Sequence, residues 1–197
     1  TYVVQSLIDS IHALPLQARV VKAFSEHETQ LAVHPLASHV LKKCLRSFDA
    51  QVVEPLTQSL VPQVVSIVQF QYGVVLIKTL YDCSPPPVQQ DLRERLFAVF
   101  ATVINQEYGN FIFQHFITEG VADYEDSRAR VLALLEQNLI AYCCHPFASN
   151  VVEKVLDQVK DPHQMLQKQL LGNDSLEVLV HDVYGFYVVR VGAGRHA

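Results

Sequence analysis

One short pattern returns six times along the chain at a spacing of about 36 residues, and no other feature limits the fold as much. Each copy is a pentad whose third and fourth members are apolar, led in all but the first, which starts at Thr1, by a bulky apolar residue and then Gly or Ala. The pentads are Thr1–Gln5, Ser38–Lys42, Val74–Lys78, Asn110–Gln114, Ser149–Glu153 and Phe186–Arg190. A period of this length is the mark of stacked supersecondary units that cannot bury their apolar faces alone. The expected fold is therefore an all-α solenoid, a right-handed superhelix of three-helix repeats. It forms one array over residues 1–197 with about six repeats, incomplete at both ends. Because the chain begins at Thr1 inside a pentad, it is expected to be a piece of a longer array.

Between pentads the punctuation is helical. A Pro15-led stretch runs to Phe24, and a second segment around Gln30–Val33 is cut by His34-Pro35. A residue before proline is pushed out of the α region, so His-Pro marks a tight turn into the next pentad helix. His145-Pro146 repeats it, and His181 is expected at the same place in the last repeat. Further helices are predicted over Asp49–Leu60, Pro62–Val68, Val88–Phe97 and Pro162–Leu171, with Gly172-Asn173 as a stop signal. Another opens at the acidic run Asp123–Asp126 and reaches Glu136.

In each pentad helix the apolar third and fourth members, with the pair that follows two or three residues later, predict one buried stripe. The first and fifth members lie four apart and the second and fifth three apart, so all three are expected on one exposed strip. Four second members are planar or aromatic (Tyr2, His39, Phe111, Tyr187), and a fifth is Asn150. Solvent-facing rings at repeat spacing are hard to explain by stability alone, which makes the strip a candidate binding surface.

Composition narrows the partner. Half of the 197 residues are apolar and 18% are charged, which supplies a continuous core and argues against disorder. The net charge of −5 speaks against a protein that grips nucleic acid mainly through phosphates, but not against one that stacks and hydrogen-bonds bases. Cys44, Cys83, Cys143 and Cys144 make no CxxC pair and suit a reduced intracellular setting. Cys143-Cys144-His145 lacks a third ligand or a base at useful spacing, so neither metal nor cofactor is expected there. With no phosphate loop, nucleophile elbow or HExxH, no catalytic residues are expected; neither are a small-molecule substrate or a membrane span.

Tyr108-Gly109-Asn110-Phe111-Ile112-Phe113-Gln114-His115 and His145-Pro146-Phe147-Ala148-Ser149-Asn150-Val151-Val152-Glu153-Lys154 resemble repeats of the Pumilio (PUF) family of single-stranded RNA-binding proteins. The resemblance implies one base per repeat. First and fifth members would bond the base edge, the second would stack, and the RNA would run antiparallel to the protein. It implies base-edge roles for Thr1, Gln5, Ser38, Lys42, Asn110, Gln114, Ser149, Glu153 and Arg190. Stacking falls to Tyr2, His39, Phe111, Asn150 and Tyr187. Asn110 and Gln114 match uracil, Ser149 and Glu153 match the two donors of guanine, and Thr1 with Gln5 resembles an adenine pair. Ser38/Lys42, Val74/Lys78 and Phe186/Arg190 lack an amide or carboxylate at the fifth place, leaving phosphate contact or a spacer role for them. The resemblance further implies binding to messenger RNA 3′ untranslated regions in the cytoplasm, with regulatory proteins recruited on the convex face. Two alternatives stay open: a nucleolar relative binding pre-ribosomal RNA with little sequence choice, and an armadillo- or HEAT-like solenoid that holds a peptide.

Overall fold

The computed structural model describes residues 2–158, 169–170 and 172–193, and among them every regular element is helical. The expected helix over 162–171 falls almost wholly outside the described residues. The chain forms two compact units, Thr1–Val99 and Phe100–Ala197.

In the first unit, α1 (Tyr2–Asp9) and α2 (Leu14–Lys22) precede two full three-helix repeats. One repeat is the short α3 (Glu28–Val33), the pentad helix α4 (Ala37–Ser47) and α5 (Ala50–Leu60). The other begins with a 3-10 turn (Val61–Gln63) running into α6 (Val64–Ile67), followed by the pentad helix α7 (Gln71–Cys83) and α8 (Pro86–Phe97). Local chemistry sets the boundaries. Asp49 caps α5 by accepting from the Gln51 N–H at 2.9 Å, and Pro86 opens α8 where a missing N–H costs nothing. Pentad helices pack in succession, α1 on α4 and α4 on α7, while α2 packs on α5. Two buried glutamines tie the layers together. Gln17 donates to the Ile11 carbonyl (2.9 Å) and accepts from the Asp49 N–H (3.2 Å), and Gln89 donates to the Tyr81 carbonyl (2.9 Å).

The second unit repeats the plan with α9 (Phe100–Val103), α10 (Asn110–Phe116) and α11 (Tyr124–Glu136), then α12 (Leu139–Cys143) and α13 (Ser149–Gln158). It ends with α14 (Asn173–His181) and the pentad helix α15 (Val183–Ala193). Here α13 lies between α10 and α15. Its core is partly aromatic: Phe113 meets Phe100 at 4.6 Å between ring centroids and Phe116 at 6.3 Å, and Phe100 also meets Tyr142. Gly109, the residue before this pentad, has a steric reason, since a Cβ there would stand 2.7 Å from the Val103 carbonyl oxygen.

The predicted stripe is buried in the second to sixth copies, with Val40 and Val189 half-buried at its edge. It fails in the first, where Val3 is 82% exposed and Val4 also faces solvent. The difference is a missing neighbour: α3 covers that face of α4, whereas no described short helix lies against α1. The last turn is also corrected. His181 ends α14, and the residue equivalent to His34 and His145 is Asp182. His34 Nδ1 accepts from the backbone N–H of Leu36 and Ala37, His145 Nδ1 from those of Phe147 and Ala148, and Asp182 Oδ1 from those of Tyr184 and Gly185. Gly172, expected as a stop, stands as the N-cap of α14.

Candidate nucleic-acid interface

The pentad strip is narrower than helical spacing alone implies. Ser38, Val74, Asn110 and Ser149, all first members, are buried, Asn110 to 1% exposure. A Cα–Cβ bond tilts toward the helix N-terminus; Asn110 and Ser149 open their helices and Ser38 stands second in its own, so their side chains lean back onto the turn behind, while Val74 lies one turn into α7. Fifth members are half-buried in Gln5, Lys42, Lys78, Gln114 and Glu153 and exposed in Arg190. Second members sit outermost: Phe111 is 41% exposed, Val75, Asn150 and Tyr187 are exposed, and His39 is half-buried. In the last copy Phe186 takes the first place yet is exposed. Thr1 lies outside the described residues.

Three planes of chemistry therefore meet at α10: a buried amide, a half-buried amide one turn on, and an exposed ring between them. Asn110 Nδ2 donates to the carbonyls of Gln106 and Glu107, both at 2.9 Å, and Gln114 Nε2 donates to Asn110 Oδ1 at 2.7 Å. On α13 Ser149 is buried and Glu153, one turn on, is half-buried. Burial pushes the Glu153 carboxyl above its ordinary pKa, while the positive charge of Arg190 on the adjoining α15 partly opposes the shift. Arg190 is itself held over the Tyr187 ring, with 4.8 Å from Cζ to the ring centroid. Asn150, expected to stack, spends its amide nitrogen on the carbonyls of Pro146 and Phe147.

The first unit carries a different set. Burial lowers the pKa of Lys78, opposed by Asp82, and burial followed by the charge of Arg46 lowers that of Lys42. His39 meets the edge of Tyr72 at 6.3 Å and 65°. In the sequence pattern Tyr72 is only the bulky residue that leads its copy, and it shares that place two residues before the pentad with Tyr108, Phe147 and Tyr184. That shared place was the signal: these bulky residues lie half-buried or exposed, within reach of the strip.

Cys143 and Cys144 offer no nucleophile. Burial lifts the Cys143 thiol to about 12, with Cys144 and Glu153 adding to it, and burial with Asp182 raises Cys144, so both stay protonated at neutral pH. Among the described residues no group of three His, Cys, Asp or Glu is placed to hold a metal, and no helix is long and apolar enough to cross a membrane.

Fold and strip together define a helical-repeat protein that presents one ring, amide or charge set per repeat on successive helices. Comparison with known proteins finds likenesses to one family. The family model described as Pumilio-family RNA binding repeat matches residues 29–60 and 138–166. The chain is 24% identical over 174 residues to Pumilio homology domain family member 4 of Saccharomyces cerevisiae, covering 87% of this chain and 20% of that protein. It is 22% identical over 194 residues to Pumilio homolog 9 of Arabidopsis thaliana, covering 96% and 33%. Among solved structures, the Puf4 RNA binding domain bound to an HO endonuclease RNA 3′ UTR recognition sequence matches with a TM-score of 0.87 and 24% identity. That match covers 96% of this chain and 59% of the other. PUF-8 in complex with PBE-RNA matches with a TM-score of 0.85 and 20% identity, covering 100% and 58%. The chain is similar to Pumilio-family repeat proteins over those stretches and shares the fold of the Puf RNA binding domains. It spans a fifth to a third of the length of these curated relatives.

Proposed function

We propose that the chain binds single-stranded RNA and reads bases mainly with α10 and α13. The observation that carries this is the set on α10, where the exposed Phe111 ring stands beside a hydrogen-bonded Asn110–Gln114 pair. A base stacked on Phe111 meets the Gln114 amide edge-on, which suits uracil. On α13 the Glu153 carboxylate accepts from guanine's ring N–H and exocyclic amine, a pair of donors that no other base presents together. With RNA running antiparallel, the element is a G-U step whose guanine is held by α13 and whose uracil is held by α10. Lys42, Lys78 and Arg190 would then meet phosphates or leave their positions unread.

The biological setting that fits is a 3′ untranslated region of messenger RNA in the cytoplasm, with partner proteins acting on translation or decay. The supporting fact is that Puf4 and Puf3 structures of the same fold are bound to 3′ UTR recognition sequences. Selection from a random RNA pool is expected to return a motif containing G-U, bound with a shallow salt dependence. Steeply salt-dependent binding with no motif would favour phosphate-led binding instead, and no enrichment would favour a peptide ligand.

A further inference from the structure

The first unit holds a cavity of about 360 Å3 that none of the pentad residues lines. It lies between α5 and the turn joining α7 to α8, and its volume is within the range of ligand pockets. Its origin is a missing tie. In the preceding gap Gln17, the fourth residue of α2, accepts from the N–H of Asp49, the N-cap of α5, and α2 packs on α5. One repeat on, the fourth residue of α5 is Val53 and the N-cap of α8 is Pro85, which has no N–H. Neither can make the bond, and both line the cavity. Helix α8 packs instead on α6, α7 and the 3-10 turn.

Two chemistries meet in this opening. Leu45, Phe48 and Val53 form a buried apolar floor, with the half-buried Val88 beside it. The mouth is rich in acceptors. Helix α4 ends at Ser47 and α7 at Cys83, and the residues that follow, Phe48 and Ser84, are extended and line the cavity. The negative ends of two helices therefore border it. Glu54 stands exposed on the rim, where Gln58 donates to its carboxylate at 3.0 Å, and Pro55 cannot give the Gln51 carbonyl its helical N–H. Burial raises the Cys83 thiol above its ordinary pKa, and the nearby charges of Arg46 and Asp82 act on it in opposite senses. Two carboxylates and two helix ends outweigh one guanidinium.

We propose that this cavity is a docking site for a short peptide of a partner protein, one that carries a bulky apolar side chain beside a lysine or arginine. The apolar side chain fills the space over Leu45, Phe48 and Val53 and acts as the anchor. The cation lies on the rim, at Glu54 and the two helix ends, where its charge is complementary. A nucleic-acid strand would bring phosphates to a rim of the same sign, so RNA is the disfavoured occupant. Because no pentad residue takes part, the peptide does not compete with a ligand on the strip.

The test pans a random peptide library displayed on phage against the full chain. Recovered sequences are expected to place Leu, Ile, Met or Phe next to Lys or Arg, and a synthetic copy of the enriched peptide then serves as the probe. It is expected to slow alkylation of Cys83 by iodoacetamide, read by mass spectrometry. Its affinity is expected to fall about tenfold or more for Cys83→Phe, which plugs the cavity, and for Glu54→Lys, which reverses the rim charge. Both positions are exposed, so the fold is kept, and circular dichroism with the unfolding midpoint checks this. Replacing the peptide's apolar residue by alanine, or its cation by glutamate, should weaken binding to a similar degree. No enriched sequence, recovered peptides without the apolar–basic pair, or a peptide held equally by both variants and the unaltered chain would overturn the proposal. Protection of Cys83 by a single-stranded RNA oligonucleotide and not by the peptide would overturn it too, and assign the cavity to RNA.

Discussion

Helices α7 and α10 have the same architecture and opposite chemistry. In both, the third and fourth pentad members are fully buried, Leu76 and Ile77 in one and Ile112 and Phe113 in the other. In both, a glycine before the pentad lets the helix press against the short helix behind it. Yet α7 puts Val74, Val75 and Lys78 where α10 puts Asn110, Phe111 and Gln114. A repeat can thus keep its full core while its outward set changes from amides and a ring to aliphatics and a lysine. Core and outward chemistry reside at separate positions of one helix, and each can be altered without the other.

The largest expected effect tests the shared half of that comparison. Phe113→Ala and Ile77→Ala each empty a fully buried site and are expected to cost about 3–5 and about 2–5 kcal/mol of stability, read by chemical denaturation. If either variant proved nearly neutral, the two scaffolds would not be equivalent. The outward half is tested next, by RNA affinity. Phe111→Ala is expected to lose about 1–3 kcal/mol of binding with little change in stability, while Val75→Ala leaves binding almost unaltered. Glu153→Gln and Gln114→Glu should each change the preferred base at adjacent positions. Unchanged selection would remove the code from these residues.

The capped turns come below these in size. Asp182→Ala removes the acceptor of two backbone N–H groups at 2.9 and 2.8 Å and is expected to cost about 0.5–2 kcal/mol, seen as a lowered unfolding midpoint. The smallest effect expected is one of pH. Because burial raises the Glu153 carboxyl, it takes up a proton at a pH where an exposed glutamate is still ionised. Guanine preference should therefore weaken on acidification from neutrality, sooner than an ordinary glutamate would allow. The sign for folding is opposite: a raised carboxyl favours the folded chain at low pH, and that contribution is lost as pH rises through its folded pKa. In Glu153→Gln the pH dependence of base choice should disappear.

The repeat and its helices were legible in the sequence because periodicity and proline turns are local. Burial of Ser38, Asn110 and Ser149 was not, because a helical wheel places the first and fifth members on one face and ignores the turn behind the first. Exposure of Val3 depends on which helix covers it, a fact about neighbours and not about spacing. His181 and Asp182 are adjacent in sequence, and only the position of an acceptor atom near the two N–H groups decides between them. The roles that the resemblance gave to Gln114, Phe111 and Glu153 fall on side chains that reach the surface, since residue type and helical offset are enough to find an outward group. The Asn110–Gln114 hydrogen bond depended on atoms: no pattern of letters records which end of an amide faces two carbonyls.

The buried first member also bears on how such a protein can change over generations. A position closed in by the preceding turn accepts side chains by size before chemistry, and the four buried examples are Ser, Val, Asn and Ser. The outer second position carries no such restriction. Variation in this strip should therefore be lopsided: wide at the outer second member, narrow at the buried first, with new surface chemistry arising mainly through the second and fifth members.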